Sequence, residues 1–118
     1  MGWFRRWLER FRQSDEERLT DEVREWAESI PQTSRIDQCP SREHVRVAGA
    51  VRRLTIRPVE GFYSLEALVS DGTGEILVRW MGRHRIPGLG LGTRIVLEGV
   101  LGRDRDGLRM VNPQFEFG

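Results

Sequence analysis

The chain has 118 residues, 38% hydrophobic and 31% charged, a globular composition with room for one domain and an appendage. No apolar run approaches the roughly 18 residues a membrane-spanning helix needs, and Arg5 and Arg6 precede no uninterrupted apolar core of the signal-peptide kind. The single cysteine, Cys39, can form neither an internal disulfide nor a cysteine-based zinc site, so a reducing cytoplasmic setting is expected.

The net charge of +1 hides a strong asymmetry. Residues 1–13 carry +3, residues 14–30 carry −5 and residues 31–118 carry +3. All 19 basic residues are Arg. Coding bias is the plain explanation, but the chemistry follows regardless: a guanidinium grips phosphate bidentately and stacks on flat rings. A balance of +3 on the body is too small to establish a nucleic-acid partner by itself.

Trp3, Phe4, Trp7, Leu8 and Phe11 recur at helical spacing with arginines between them. This predicts a short amphipathic helix that suits an anionic membrane surface, a partner protein's groove, or packing on the rest of this chain or on a second copy of it. Ser14 followed by Glu17 is a capping-box pattern, so a second helix is expected to start near Asp15. Leu19, Val23, Trp26, Ala27 and Ile30 form its apolar stripe, and Pro31 ends it. The helical arm thus spans residues 1–30. Residues 31–41, with Pro31 and Pro40, read as a linker to a domain over residues 42–118.

That domain reads as mostly β. His44 to Ile56 alternates, with Val45, Val47 and Val51 on one side and Arg46, Ala48, Ala50 and Arg52 on the other. Pro58 to Gly61 reads as a turn. Phe62 to Ser70 is a second strand, with Tyr63, Leu65, Ala67 and Val69 assigned to the core face. Asp71-Gly72-Thr73-Gly74 is a hairpin signal, followed by a third strand, Glu75 to Met81, whose Ile76, Val78 and Trp80 alternate inward. Residues 82–92 form an irregular connection. A fourth strand runs from Arg94 to Leu101, then a turn at Arg103–Gly107. A fifth runs from Leu108 to Phe117, interrupted at Asn112-Pro113, and its Phe115 and Phe117 are expected to close the barrel.

The first and fourth strands echo each other, Val45-x-Val47-x-Gly49-x-Val51 against Ile95-x-Leu97-x-Gly99-x-Leu101. A glycine in mid-strand costs stability unless the strand must bend. Five strands with sharp coiling predict a five-stranded OB-fold barrel with an N-terminal α-helical extension. Together with Asp71 to Trp80 and Asn112 to Phe115, these strands resemble OB-fold nucleic-acid-binding domains. The resemblance covers about two-thirds of the chain. It is nearest to small actinobacterial proteins made of a helical segment and one such domain. It extends more loosely to the anticodon-binding domains of class II tRNA synthetases and the wedge domain of branch-migrating helicases. It implies binding of single-stranded DNA or RNA.

Such barrels bind along the outer face of strands two and three, where cations track phosphates and rings stack on bases. Arg46, Arg52, Arg53, Arg57, Arg79, Arg83 and Arg85 are the candidate phosphate ligands, and Phe62 the candidate stacking ring. Arg103 and Arg105 lie in the four-five turn. Glu66, in the middle of that face, would repel phosphate, so weak and salt-sensitive binding is expected. The inventory argues against catalysis: His44 and His84 lack metal-ligand spacing, Gly88-x-Gly90-x-Gly92 lacks a phosphate-loop Lys, and Cys39 has no adjacent base. No cofactor or metal is expected. The alternative is an adaptor that recognises a protein or an anionic membrane through residues 1–13, with the barrel as scaffold.

Overall fold

The computed structural model describes residues 2–118, with side chains from residue 16 onward. Helix α1 spans Gly2–Ser29. Seven strands follow among the described residues: β1 His44–Val59, β2 Phe62–Ser70, β3 Glu75–Met81, β4 Arg94–Val100, β5 Gly102–Asp104, β6 Gly107–Val111 and β7 Gln114–Phe117. They form one mixed sheet in the order β5-β6-β3-β2-β1-β4-β7, curled into a half-barrel.

β1 makes the curl. Its first half pairs with β4, from His44 across Val100 to Ala50 across Arg94, and its second half pairs with β2, from Ala50 across Ser70 to Val59 across Phe62. Ala50 is the changeover, bonded into both ladders. Gly49 shows why glycine is needed beside it: a Cβ there would lie 2.7 Å from the Ser70 carbonyl oxygen. A bulge between Val51 and Arg53 then flips the alternation, so that Leu54 and Ile56, rather than Arg53 and Thr55, continue the inner face.

Seven strands replace the expected five for two reasons. The turn after β4 extends into the short β5, which pairs with β6. The expected single strand Leu108–Phe117 breaks at Asn112-Pro113 and changes partner: β6 runs parallel to β3, and β7 runs antiparallel to β4. Asn112 manages the break. Its φ of 48° lies in the left-handed region that Asn tolerates. Its backbone N–H donates to the Arg79 carbonyl at 2.8 Å, and its side-chain oxygen accepts from Met81 N–H at 2.9 Å. The β3 edge is therefore satisfied one residue beyond the last regular pair.

The core lies inside the curl. Val47, Val51, Val69, Ile76, Val78, Ile95, Leu97 and Met110 are buried there, with Trp80 as its large ring. Phe115 packs edge-to-face on Trp80 at 5.5 Å, as expected of a residue that closes the barrel. Phe117 does not close it: it is exposed at the sheet end, tilted on Phe115.

The two expected helices are one. α1 continues through Ser14 and Asp15, because Ser, Asp and Glu cost only a few tenths of a kcal/mol each inside a helix and the capping pattern does not force a start. The last turns of α1 dock on the outer face of β1 and β4. There Ala27 packs with Ala48 and Val96, flanked by Trp26 and Ile30, and Arg94 lies over the Trp26 ring at 5.4 Å. Leu19, assigned to the same stripe, is exposed. The segment after α1 is anchored too: a 3-10 turn at Ile36–Gln38 buries Ile36, and Cys39 after it, in the barrel core.

Candidate nucleic-acid interface

The outer face of β1, β2, β3 and β6 can be read row by row from the registers. One row sets Arg57 across from Ser64 and Met81. The next sets Thr55 across from Glu66, Arg79 and Val111. The third sets Arg53 across from Leu68, Leu77 and Arg109. Val59 and Phe62 pair at the tip of the hairpin, on the same face, and Phe62 is 43% exposed.

Glu66 sits at the centre of this face, 5% exposed. Arg79 donates to its Oε1 from Nη2 at 2.7 Å and from Nε at 3.0 Å, while Arg57 Nε stands 3.6 Å from Oε2. A carboxylate this buried needs such partners. Glu66 therefore fixes Arg79 in place and neutralises it, and it holds Arg57 only loosely, leaving that side chain exposed. Arg53 has no ion-pair partner among the described residues, and it shares a cleft of about 300 Å³ with Thr55, Arg57, Glu66, Leu68 and Leu77. Arg109 is paired with Asp104 at 2.6 Å. Four arginines against two acids leave this face with a local surplus of positive charge.

Four sequence-predicted site residues thus meet on one face: Arg53, Arg57, Arg79 and Phe62. Arg46 does not join them. It lies on the half of β1 that pairs with β4, bound to Glu98 at 3.5 Å and Glu116 at 3.3 Å, and its charge is spent there. His44 completes that cluster, 3.2 Å from Glu98. The hydrogen bond from His44, with that from Arg46, holds the Glu98 carboxyl below its ordinary range against its partial desolvation. Arg52 lies at the bulge, turned towards α1, where it lines a cleft with Glu16, Glu17, Thr20 and Asp21. Arg83 and Arg85 follow β3 in the connecting segment 82–92, around the far side of the hairpin. Trp3, Phe4, Trp7, Leu8 and Phe11 lie outside the residues whose side chains are described.

Three residues of interest lie at this end of the sheet or on its face without being expected there from the sequence. Arg109 alternates with the inward Leu108 and Met110 and turns outward because β6 ends at Val111 and pairs with β3, whereas a single strand Leu108–Phe117 gives no partner that sets its face. Tyr63, assigned to the core, is 54% exposed, because β1 and β2 continue past the barrel as a projecting hairpin. His84 stacks edge-on against it at 5.8 Å.

The Asp71-Gly72-Thr73-Gly74 turn has a second task besides reversing the chain. Asp71 is 1% exposed. Its Oδ1 accepts from Thr73 N–H at 2.8 Å, Thr73 Oγ1 at 2.6 Å and Gly74 N–H at 3.2 Å. Its Oδ2 accepts from Ile36 N–H at 2.9 Å and from Arg24 Nη1 at 2.7 Å. One carboxylate thus ties helix, linker and sheet together. Burial pushes the Asp71 carboxyl up, but the bonds from Thr73, Ile36 and Arg24 outweigh it, and the group titrates below the usual carboxylate range.

No family model matches the chain, and no curated protein is similar to it. Among the described residues, no group of three or more His, Cys, Asp or Glu side chains is placed to hold a metal ion, and no helix is long and apolar enough to cross a membrane.

Proposed function

We propose that this protein is a non-enzymatic, cytoplasmic OB-fold module that binds single-stranded DNA or RNA weakly on the outer face of β1, β2 and β3. The five strands of such a barrel correspond to β1, β2, β3, β4 and the broken segment β6–β7, with β5 as a short addition. The pairing of β1 with both β2 and β4, and the parallel pairing of β3 with β6, support this reading and the resemblance to small actinobacterial proteins of that kind.

The observation that carries the functional reading is the gathering of Arg53, Arg57 and Arg79 on one face that ends in the exposed ring of Phe62. Arginines along a sheet face track a phosphate backbone, and an exposed ring offers a base its stacking partner. Leu68 and Leu77 between them give the apolar floor on which sugars and bases can rest. Glu66 lowers the affinity by neutralising Arg79, so the binding is weak and electrostatic rather than sequence-reading.

The test is a paired charge reversal, Arg53→Glu with Arg57→Glu, measured by anisotropy of a labelled oligo-dT and its RNA counterpart. The expected result is a loss of at least tenfold in affinity at low salt, with the fold retained by circular dichroism but a lowered melting temperature, because Arg57→Glu sets a second carboxylate near the buried Glu66, which Arg79 still holds. Unchanged affinity would show that the outer face is not the binding surface.

A further inference from the structure

The β1–β2 hairpin is two-sided where it overhangs the barrel. Its outer side carries Phe62, and its inner side carries Tyr63. The inner side is not empty space. Residues 82–92 fold back beneath it, anchored where Gly82 N–H donates to the Tyr63 carbonyl at 2.8 Å, and enclose a cleft of about 360 Å³. Leu54, Ile56, Leu65, Ile86 and Leu89 form its apolar floor. His84 and Arg85 stand on its wall, and the Tyr63 ring meets the His84 ring edge-on at 5.8 Å and 62°. No acid lines this cleft among the described residues. Neither Arg83 nor Arg85 has an ion-pair partner there.

We infer that this inner cleft is a second contact for the same nucleic-acid strand, in which a base stacks on Tyr63 and His84 while Arg83 and Arg85 hold the adjoining phosphates. The inference rests on the nucleic-acid reading above and adds to it a site on the opposite side of the hairpin. Charge decides the occupant. An apolar floor alone would suit any greasy side chain, but Arg85, unpaired on the wall of an acid-free cleft with Arg83 two residues before it in the same segment, favours an anionic ligand with a flat apolar part. A nucleotide has both. Adjacent residues of a strand point to opposite faces, so Phe62 and Tyr63 offer stacking surfaces on the two sides of one hairpin. A strand crossing the hairpin edge can use both.

The experiment compares oligo-dT with an abasic strand of the same length, binding to the full-length protein and to Tyr63→Ala, Tyr63→Phe and His84→Ala. Base stacking on an aromatic side chain is worth about tenfold in affinity for each base. The expected result is that Tyr63→Ala loses about tenfold on oligo-dT and nothing on the abasic strand, and that Tyr63→Phe restores the loss. Equal affinity of wild type and Tyr63→Ala for oligo-dT would overturn the cleft while leaving the outer-face reading intact. Absence of wild-type binding to either strand would overturn both. Should Tyr63→Ala fold poorly, photo-crosslinking of wild type to a 4-thiothymidine strand decides the question. Adducts on Tyr63 or His84 support the cleft, and adducts confined to other residues overturn it.

Discussion

Replacing Asp71 by alanine removes the acceptor for hydrogen bonds from Arg24, Ile36, Thr73 and Gly74 at a point where no solvent can substitute. Breaking a buried ion pair from one side costs about 3–5 kcal/mol. The low end applies here, because Arg24 keeps Glu28 at 3.3 Å and the Asp71 carbonyl oxygen at 3.1 Å. The orphaned amides of Ile36 and Thr73 prevent a smaller figure. A loss of about 3 kcal/mol follows, which at roughly 4 °C per kcal/mol for a chain of this size lowers Tm by about 12 °C. Asp71→Asn should recover little of this, since its amide nitrogen must face one of the two donor sets. Urea unfolding followed by tryptophan fluorescence and far-UV circular dichroism measures the loss. A double-mutant cycle with Arg24→Met should return a coupling of about 1–3 kcal/mol. A loss below about 1 kcal/mol for Asp71→Ala would refute the claim that this carboxylate joins helix, linker and sheet.

Stability should fall on acidification. The folded Asp71 carboxyl titrates below its unfolded value, so its contribution is full above the ordinary aspartate range and is lost as pH drops through the lowered native value. The urea midpoint of wild type should decline between about pH 5 and pH 3 more steeply than that of Asp71→Ala, and parallel declines would contradict the assignment. Gly49→Ala should cost about 2–3 kcal/mol, because its Cβ meets the Ser70 carbonyl oxygen at 2.7 Å, whereas Gly99→Ala, 3.4 Å from Met110, should cost less; equal urea midpoints for the two would count against the changeover geometry. Burial pushes the Cys39 thiol up, and its Sγ donates to the Arg35 carbonyl at 3.2 Å, so Ellman's reagent should react with native protein at least about tenfold more slowly than with urea-unfolded protein. Comparable rates would mean that the 3-10 turn does not stay docked.

The inner face of the sheet was legible because it follows simple alternation. Val47, Ile76, Val78, Trp80 and Leu97 sit in the core as their spacing requires. The mid-strand glycines also pointed correctly to a strand that must curl, and Gly49 marks the place where it does. What the spacing could not reveal is where alternation changes meaning. A bulge at Val51–Arg53 shifts the parity by one, so Arg52 turns to α1 while Arg53 and Arg57 turn to the outer face. Arg46 keeps the outward parity it shares with Arg52, but the strand changes partner at Ala50, which leaves Arg46 among the carboxylates of β4 and β7. Tyr63 reads as core by period, yet it lies beyond the last row that the barrel covers. Length beyond the barrel is not encoded in period. It follows from where the turn falls, at Glu60-Gly61, two residues later than the strand's apolar alternation suggests. The Asp71 staple was also out of reach, since Arg24 and Ile36 are brought to the turn only by the packing of α1 on the sheet.

The most direct measurement is the affinity of wild-type protein for labelled single-stranded DNA and RNA across a salt series. Single strands lose affinity with a slope of about −0.7 per phosphate neutralised on a log–log plot. Arg53 and Arg57 engaged on the outer face should give a slope of about −1.4, rising to about −3 if Arg83 and Arg85 across the hairpin also engage, with dissociation constants in the micromolar range at low salt. A slope near zero, or no binding of either strand at low salt, would contradict the proposal that this arginine-bearing face is a nucleic-acid surface.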